Sequence, residues 1–265
     1  YKVGDRIVAG HHVPCFDCIY CKNENYSMCR TFKSSNIYPG GFCEYIFLSE
    51  THLNNTTFKV AEKLSDAEAS FTEPVACCLR AVKRANVKKG DHVLIIGLGS
   101  IGLIMGQIAK YYGATVCGCD LLSERLEYAI KYGFDNIIKY ENLDNTSELY
   151  KLKIQYSGAD KVFLSSGSIS SIPLSVACIR DGGTILVFSS ITDDNCGFPN
   201  NQIYYREITV LGSYSPSPDD LKESLKLIEN NIVKVDFFDQ YSLENIGKAI
   251  DDTLTNKIIK AYIKI

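Results

Sequence analysis

Residues 93–102 read Val-Leu-Ile-Ile-Gly-Leu-Gly-Ser-Ile-Gly, a short apolar strand running into Gly97-Leu98-Gly99-Ser100-Ile101-Gly102. A GxGxxG run carries weight only where it follows a strand and opens a helix, and the amphipathic stretch from Ser100 to Tyr112 supplies that helix. Gly97 allows the tight turn, Gly99 lets backbone approach a pyrophosphate, and Gly102 lets helix and sheet pack closely. The first turn of the helix, with Leu98, Ser100 and Ile101 around the glycines, then offers unpaired N–H groups to phosphate oxygens. An acid at the end of the next strand should meet the ribose hydroxyls, and Asp120 stands there. A carboxylate at that place favours NAD over NADP, because it repels an added 2′-phosphate. Arg125, about one helical turn on, is placed to cover the adenine face. The plain alternative is a glycine-rich turn without nucleotide.

The surrounding pattern agrees with a doubly wound parallel sheet, because short apolar strands alternate with amphipathic helices. Strands are expected at 92–96, 115–119, 136–138, 161–164, 184–188 and 208–212. Helices are expected at 100–112, 123–132, near 146–156, at 172–180, 217–229 and 243–254, with a last strand at 258–265. Ligands of such sheets lie at the C-terminal strand ends. Ser165, Ser166 and Gly167 end one strand, and Ser189 and Ser190 end the next. Both groups are expected to face the nicotinamide half of a cofactor, unless they are ordinary turn residues. The first 60 residues are different: turn-rich, with strands expected after Gly4-Asp5 and over 40–48. Residues 66–85 have helical spacing, with a kink or restart expected at Glu73-Pro74.

The second strong motif is Cys15-x2-Cys18-x2-Cys21-x7-Cys29. Four thiolates in so short a loop can enclose one zinc tetrahedrally and leave no position open for a substrate, which makes the site structural. An iron–sulfur cluster also uses four cysteines, but a ferredoxin-like run closes more tightly and is usually followed by Pro, where Arg30 stands here. A nucleic-acid zinc ribbon splits its ligands into two separated pairs. The other seven of the 11 cysteines (Cys43, Cys77, Cys78, Cys117, Cys119, Cys178 and Cys196) show no ligand pattern and read as small packing residues. His11 and His12 stand just before the cysteine loop, where they could ligate a metal, but they lack a Gly-His-Glu context and read as ordinary surface residues, and His52 and His92 read as structural or exposed.

Composition excludes several classes. With 265 residues, 46% hydrophobic and 22% charged, the chain can bury a core without disulfides. A net charge of -3 argues against a nucleic-acid partner. No apolar run approaches the roughly 20 residues that span a bilayer. The cysteine usage suggests a reducing cytoplasm.

Together these motifs resemble the zinc-containing medium-chain dehydrogenases, in particular the branch of polyol (sorbitol-like) and threonine dehydrogenases. The resemblance rests on Gly4-Asp5-Arg6-Ile7-Val8, the four-cysteine lobe, Gly40-Gly41-Phe42-Cys43-Glu44-Tyr45, Glu73-Pro74-Val75-Ala76-Cys77-Cys78 and the glycine fingerprint. It runs through to the closing segment 260–265. It implies an α/β protein: a Rossmann doubly wound parallel sheet plus a partial GroES-like β-rich catalytic domain. The expected division is 1–80 for the partial catalytic domain with its zinc lobe, 81–230 for the NAD-binding domain and 231–265 for a return to the catalytic domain. The family implies hydride transfer between NAD(H) and a polyol, sugar alcohol or other secondary alcohol, aided by a second, catalytic zinc. Glu73 matches the family's glutamate at that zinc, held directly or through water; read by itself, it is a helix-initial acid facing the dipole. A homodimer or homotetramer is implied, with the strand at 208–212 matching the family's pairing edge. The family's catalytic cysteine and Gly-His-Glu ligands lie before the Gly-Asp-Arg segment, and the sequence begins at that segment with Tyr1. The expectation is therefore that these ligands are outside the sequence and that the chain alone lacks dehydrogenase activity. The competing expectation is a non-catalytic module that binds dinucleotide and one structural zinc.

Overall fold

A computed structural model describes residues 1–140, 157–191 and 197–265. The chain divides into two units, one of Tyr1–Arg80 with Ser215–Ile265, the other of Ala81–Tyr214. The second boundary departs from the expected 230. Helix Pro218–Glu229 belongs to the first unit because its contacts lie there. The Ser224 hydroxyl donates to the Thr72 carbonyl at 2.8 Å, and the Glu229 carboxylate accepts the Ala61 N–H at 3.3 Å.

In the first unit, β1 (Ile7–Ala9) pairs antiparallel with β2 (Thr57–Lys59). Between them lie the short helices Ile19–Lys22 and Arg30–Ser34, the 3-10 turn Tyr26–Met28 and the helix Glu50–Asn55. Segment 40–48 was expected to be a strand. It forms only an isolated antiparallel bridge between Tyr38 and Phe47, since no neighbouring strand lies beside it among the described residues. Helix Asp66–Ala69 starts at a Ser65–Glu68 capping box, and a second helix runs over Thr72–Arg84. The break thus falls at Ser70-Phe71 rather than at Glu73-Pro74. Pro74 sits in the first helical turn, where its missing N–H leaves no bond unmade.

In the second unit, six strands form one parallel sheet: β3 (His92–Ile96), β4 (Thr115–Asp120), β5 (Asn136–Lys139), β6 (Ala159–Leu164), β7 (Ile179–Val187) and β8 (Thr209–Gly212). Their order is β5-β4-β3-β6-β7-β8. The chain starts at the centre and builds outward in both directions, so β3 and β6 flank the switch point where such sheets bind ligands. Ile95, Ile96, Val162, Phe163, Ile185 and Leu186 are fully buried. Burial on both faces accounts for strands that read as continuous apolar runs. Each such side chain contributes about 1.5–3 kcal/mol. Strand β7 begins at Ile179, so the helix expected to reach Arg180 ends at Cys178. Arg180 is held extended by its Nε contact to Asp160 at 2.6 Å. The helix expected near 146–156, and Cys196, lie outside the described residues.

The returning segment of the first unit carries a strand the periodicity did not announce, β9 (Asp239–Ser242), parallel to β10 (Ala261–Lys264). No helix among the described residues is long and apolar enough to cross a membrane.

Candidate functional sites

The four cysteines of the first unit converge. Cys18 precedes helix Ile19–Lys22, Cys21 lies within it, and Cys29 joins the turn Tyr26–Met28 to helix Arg30–Ser34. Phe16, in the left-handed region at φ 62°, turns the loop after Cys15. The four sulfurs lie within 4.8 Å of one another, with Cys18 and Cys21 at 3.6 Å and Cys15 and Cys21 at 3.9 Å. These are not disulfide distances, and all four thiols are free. They match the roughly 3.8 Å edge of a tetrahedron with zinc–sulfur bonds near 2.3 Å. Backbone N–H groups of Cys15 and Cys18 point at the sulfurs of Cys29 and Cys15, at 3.5 and 3.4 Å. Burial raises Cys29, but N–H donation from Phe32 and Cys15 outweighs it and draws the thiol down to about 6. Burial, with hydrogen bonds between the Cys21 thiol and the Cys18 and Cys29 sulfurs, pushes Cys21 up to about 12. Among the described residues, no other group brings three or more His, Cys, Asp or Glu ligand atoms together.

Glu73 stands half-buried in the first turn of Thr72–Arg84, and Cys77 donates to its Oε1 at 3.2 Å. It lines a small cavity with Gly10, His11, His12, Phe32 and Thr56. The two histidines are therefore not the surface residues the sequence suggested. Both are half-buried, with ring centroids 4.1 Å apart. Burial, reinforced by the neighbouring His12, lowers His11, while Glu73 opposes the shift. His12 Nδ1 meets the Ser35 carbonyl. His52 is buried and structural: Nδ1 pairs with the Ser49 hydroxyl at 2.8 Å and Nε2 with the His11 carbonyl at 3.3 Å. Sequence reasoning missed this convergence because Glu73 lies some sixty residues from the histidines. The one available signal was their position directly after β1 and before the cysteine loop.

The fingerprint lies in the second unit, between β3 and the helix Ser100–Tyr111. Gly97 adopts φ +94°, and a Cβ there would lie 3.0 Å from the Ser166 side chain. A Cβ on Gly102 would lie 2.0 Å from the Gly97 carbonyl oxygen. A Cβ on Gly99 would meet nothing within 4 Å, so the loop has open space there. Leu98 is fully buried and anchors the loop. Its N–H donates to Asp120 Oδ2 at 2.6 Å, while Asp120 Oδ1 accepts the Leu122 N–H at 2.9 Å. Arg125 Nη1 lies 3.4 Å from Asp120 Oδ2. Ser100 and Ile101 form the first helical turn, both half-buried.

The serines at the strand ends make backbone bonds. Ser165 donates to the Gly97 carbonyl at 2.6 Å and ties the end of β6 to the glycine turn. Ser189 donates to the Ser166 carbonyl at 2.6 Å, and Ser166 Oγ accepts the Ser168 N–H at 3.3 Å. Of the remaining cysteines, Cys78, Cys117, Cys119 and Cys178 are buried, and Cys43 donates to the Gly40 and Tyr45 carbonyls. His92 begins β3, and its N–H is held by Asp160.

Comparison with known proteins agrees with this arrangement. Residues 100–230 match the family described as zinc-binding dehydrogenase, and residues 1–57 match the alcohol dehydrogenase GroES-like domain. The chain is 29% identical over 269 residues to the sorbitol dehydrogenase of Halalkalibacterium halodurans, covering 99% of this chain and 77% of that one. It is 29% identical over 270 residues to the D-xylulose reductase A of Aspergillus oryzae, covering 99% and 74%. The acetophenone reductase of Geotrichum candidum, solved in complex with NAD, superposes with a TM-score of 0.86 at 24% identity, over 100% of this chain and 75% of that one. The chain belongs to the zinc-containing medium-chain dehydrogenase family, whose members are alcohol oxidoreductases.

Proposed function

We propose that the second unit binds NAD(H) and that the family reaction is hydride transfer between this cofactor and a polyol, sugar alcohol or similar secondary alcohol. The observation that carries this reading is the loop at the switch point. Asp120 fixes Leu98, Gly102 seats the helix, and Gly99 leaves room where backbone can approach a pyrophosphate. Asp120 Oδ1, beyond the Leu122 bond, keeps a further lone pair for a ribose hydroxyl. When bound, the nicotinamide supplies the hydride-accepting ring. The polyol names of the relatives support the substrate class. Ser166 and Ser189 shape the turns beneath the nicotinamide half through their backbone bonds.

The cage of Cys15, Cys18, Cys21 and Cys29 holds a structural zinc. All its ligand positions come from the chain, so its contribution is to fix the loop. Glu73 is assigned to the catalytic zinc, directly or through water, and the cavity it shares with His11 and His12 is where a divalent ion would supply Lewis acidity. That cavity does not bring three ligand atoms together, which favours a second reading of this chain as a dinucleotide- and zinc-binding module without turnover. The outer strand β8 exposes Val210 and is proposed as the pairing edge of a homodimer or homotetramer in the cytoplasm.

Assaying the purified chain for zinc and for polyol-dependent NADH formation tests both readings. About one zinc per chain, lost in Cys29→Ser, with no turnover is the expected result for these 265 residues. Two zinc ions with turnover would overturn the inactive reading. Absence of zinc would overturn the cage.

A further inference from the structure

The acid at the end of β4 argues for a pocket that rejects a 2′-phosphate, but its neighbours change the local charge. Asp120 is only 3% exposed, and both its oxygens already accept backbone N–H groups, from Leu98 and Leu122. Arg125 lies 3.4 Å from Oδ2, so the carboxylate charge is met from two sides. On the adjacent strand, Lys139 is the residue paired with Asp120, at the C-terminal end of β5. Its Nζ donates to the Ser123 hydroxyl at 2.8 Å, and both residues are exposed. The ends of β4 and β5 therefore carry two cations and a hydroxyl around one sunken, hydrogen-bonded acid.

A ribose 2′-phosphate carries close to two negative charges and three acceptor oxygens. An ammonium serves it as a point charge, a guanidinium as a planar fork, and a serine hydroxyl as a further donor. Lys139, Arg125 and Ser123 provide one of each. Repulsion from Asp120 is weakened because its charge is neutralised by Arg125 and two N–H dipoles. An unprotected acid pointing at the 2′ position would have nothing comparable to offset it.

We propose that the cluster of Ser123, Arg125 and Lys139 accepts a 2′-phosphorylated adenosine ribose, so that the chain binds NADP(H) with an affinity comparable to NAD(H). This rests on the reading of the fingerprint as a nicotinamide dinucleotide site. Lys139 and Ser123 are the specificity-determining residues, since neither has a phosphate to meet in NAD(H). Arg125 serves both cofactors through its place beside Asp120.

The test is binding rather than turnover. Titration of the chain with NADH and with NADPH, followed by nicotinamide fluorescence, gives the ratio of the two dissociation constants. In the wild type the ratio is expected to lie within about tenfold of unity. Lys139→Ala is expected to shift it against NADPH by about tenfold, the weight of one charge-assisted hydrogen bond, and Lys139→Arg to restore it. Added salt should weaken NADPH more than NADH. Thermal melting of each variant checks that the fold is kept. The proposal is overturned if the wild type disfavours NADPH by more than about tenfold, or if Lys139→Ala moves both constants equally. Binding of neither nucleotide would instead remove the dinucleotide reading itself, and this proposal with it.

Discussion

A methyl group on Gly102 would stand 2.0 Å from the Gly97 carbonyl oxygen, which is backbone and cannot swing aside. Gly102→Ala must therefore push the helix Ser100–Tyr111 off β3 or distort the turn. Overpacking of this kind costs about 1–3 kcal/mol or more, and a urea unfolding midpoint should fall accordingly. An unchanged midpoint would show that the loop can yield. Gly99 is the opposite case, with open space where its Cβ would be and an ordinary φ of -65°. The two glycines were equally legible in the sequence because their spacing is local. The cysteine cage was legible for the same reason. The grouping of Glu73 with His11 and His12 was not, because β1 and the start of helix Thr72–Arg84 meet only through tertiary packing. Nor did Lys139 stand out, since its pairing with Asp120 depends on strand register.

At the scale of elements, two carboxylates tie the strands of the second unit together. Asp135 accepts the Val116 N–H at 2.8 Å and pairs with Lys110 at 2.9 Å. Asp160 accepts the His92 N–H at 2.8 Å and pairs with Arg180 at 2.6 Å. Burial alone would raise both, yet the N–H bonds and neighbouring cations hold them below the ordinary carboxylate value of 3.8. A folded-state value below the unfolded one adds stability above about pH 4, and that stability is lost as pH falls through the folded value. The stability gap between wild type and Asp160→Asn should therefore be full near neutrality and shrink as pH falls below about 4. Urea midpoints measured against pH would show it, and a gap independent of pH would count against the clamp. The strands these acids join were readable because burial on both faces makes them continuous apolar runs. Segment 40–48 has the same apolar character but makes only the Tyr38–Phe47 bridge, because a strand needs a partner as well as a pattern.

At the scale of the whole molecule, the glycine loop proposed for the cofactor and the four cysteines proposed for zinc lie in different units. The order of motifs led to an expected division at 80 and 230. The position of its second boundary was hidden, because helix Pro218–Glu229 has the amphipathic pattern either unit would accept. Its contacts, among them the bonds to Thr72 and Ala61, assign it. The open turn at Gly99 is proposed as the seat of a nicotinamide dinucleotide. Titrating the purified chain with NADH, beside Gly99→Val, measures this directly. Saturable binding by the wild type is predicted, weakened about tenfold or more in Gly99→Val, while the thermal midpoint of Gly99→Ala stays unchanged, since a Cβ there meets nothing within 4 Å. NADH binding that survives Gly99→Val undiminished, or no binding by the wild type, would contradict it.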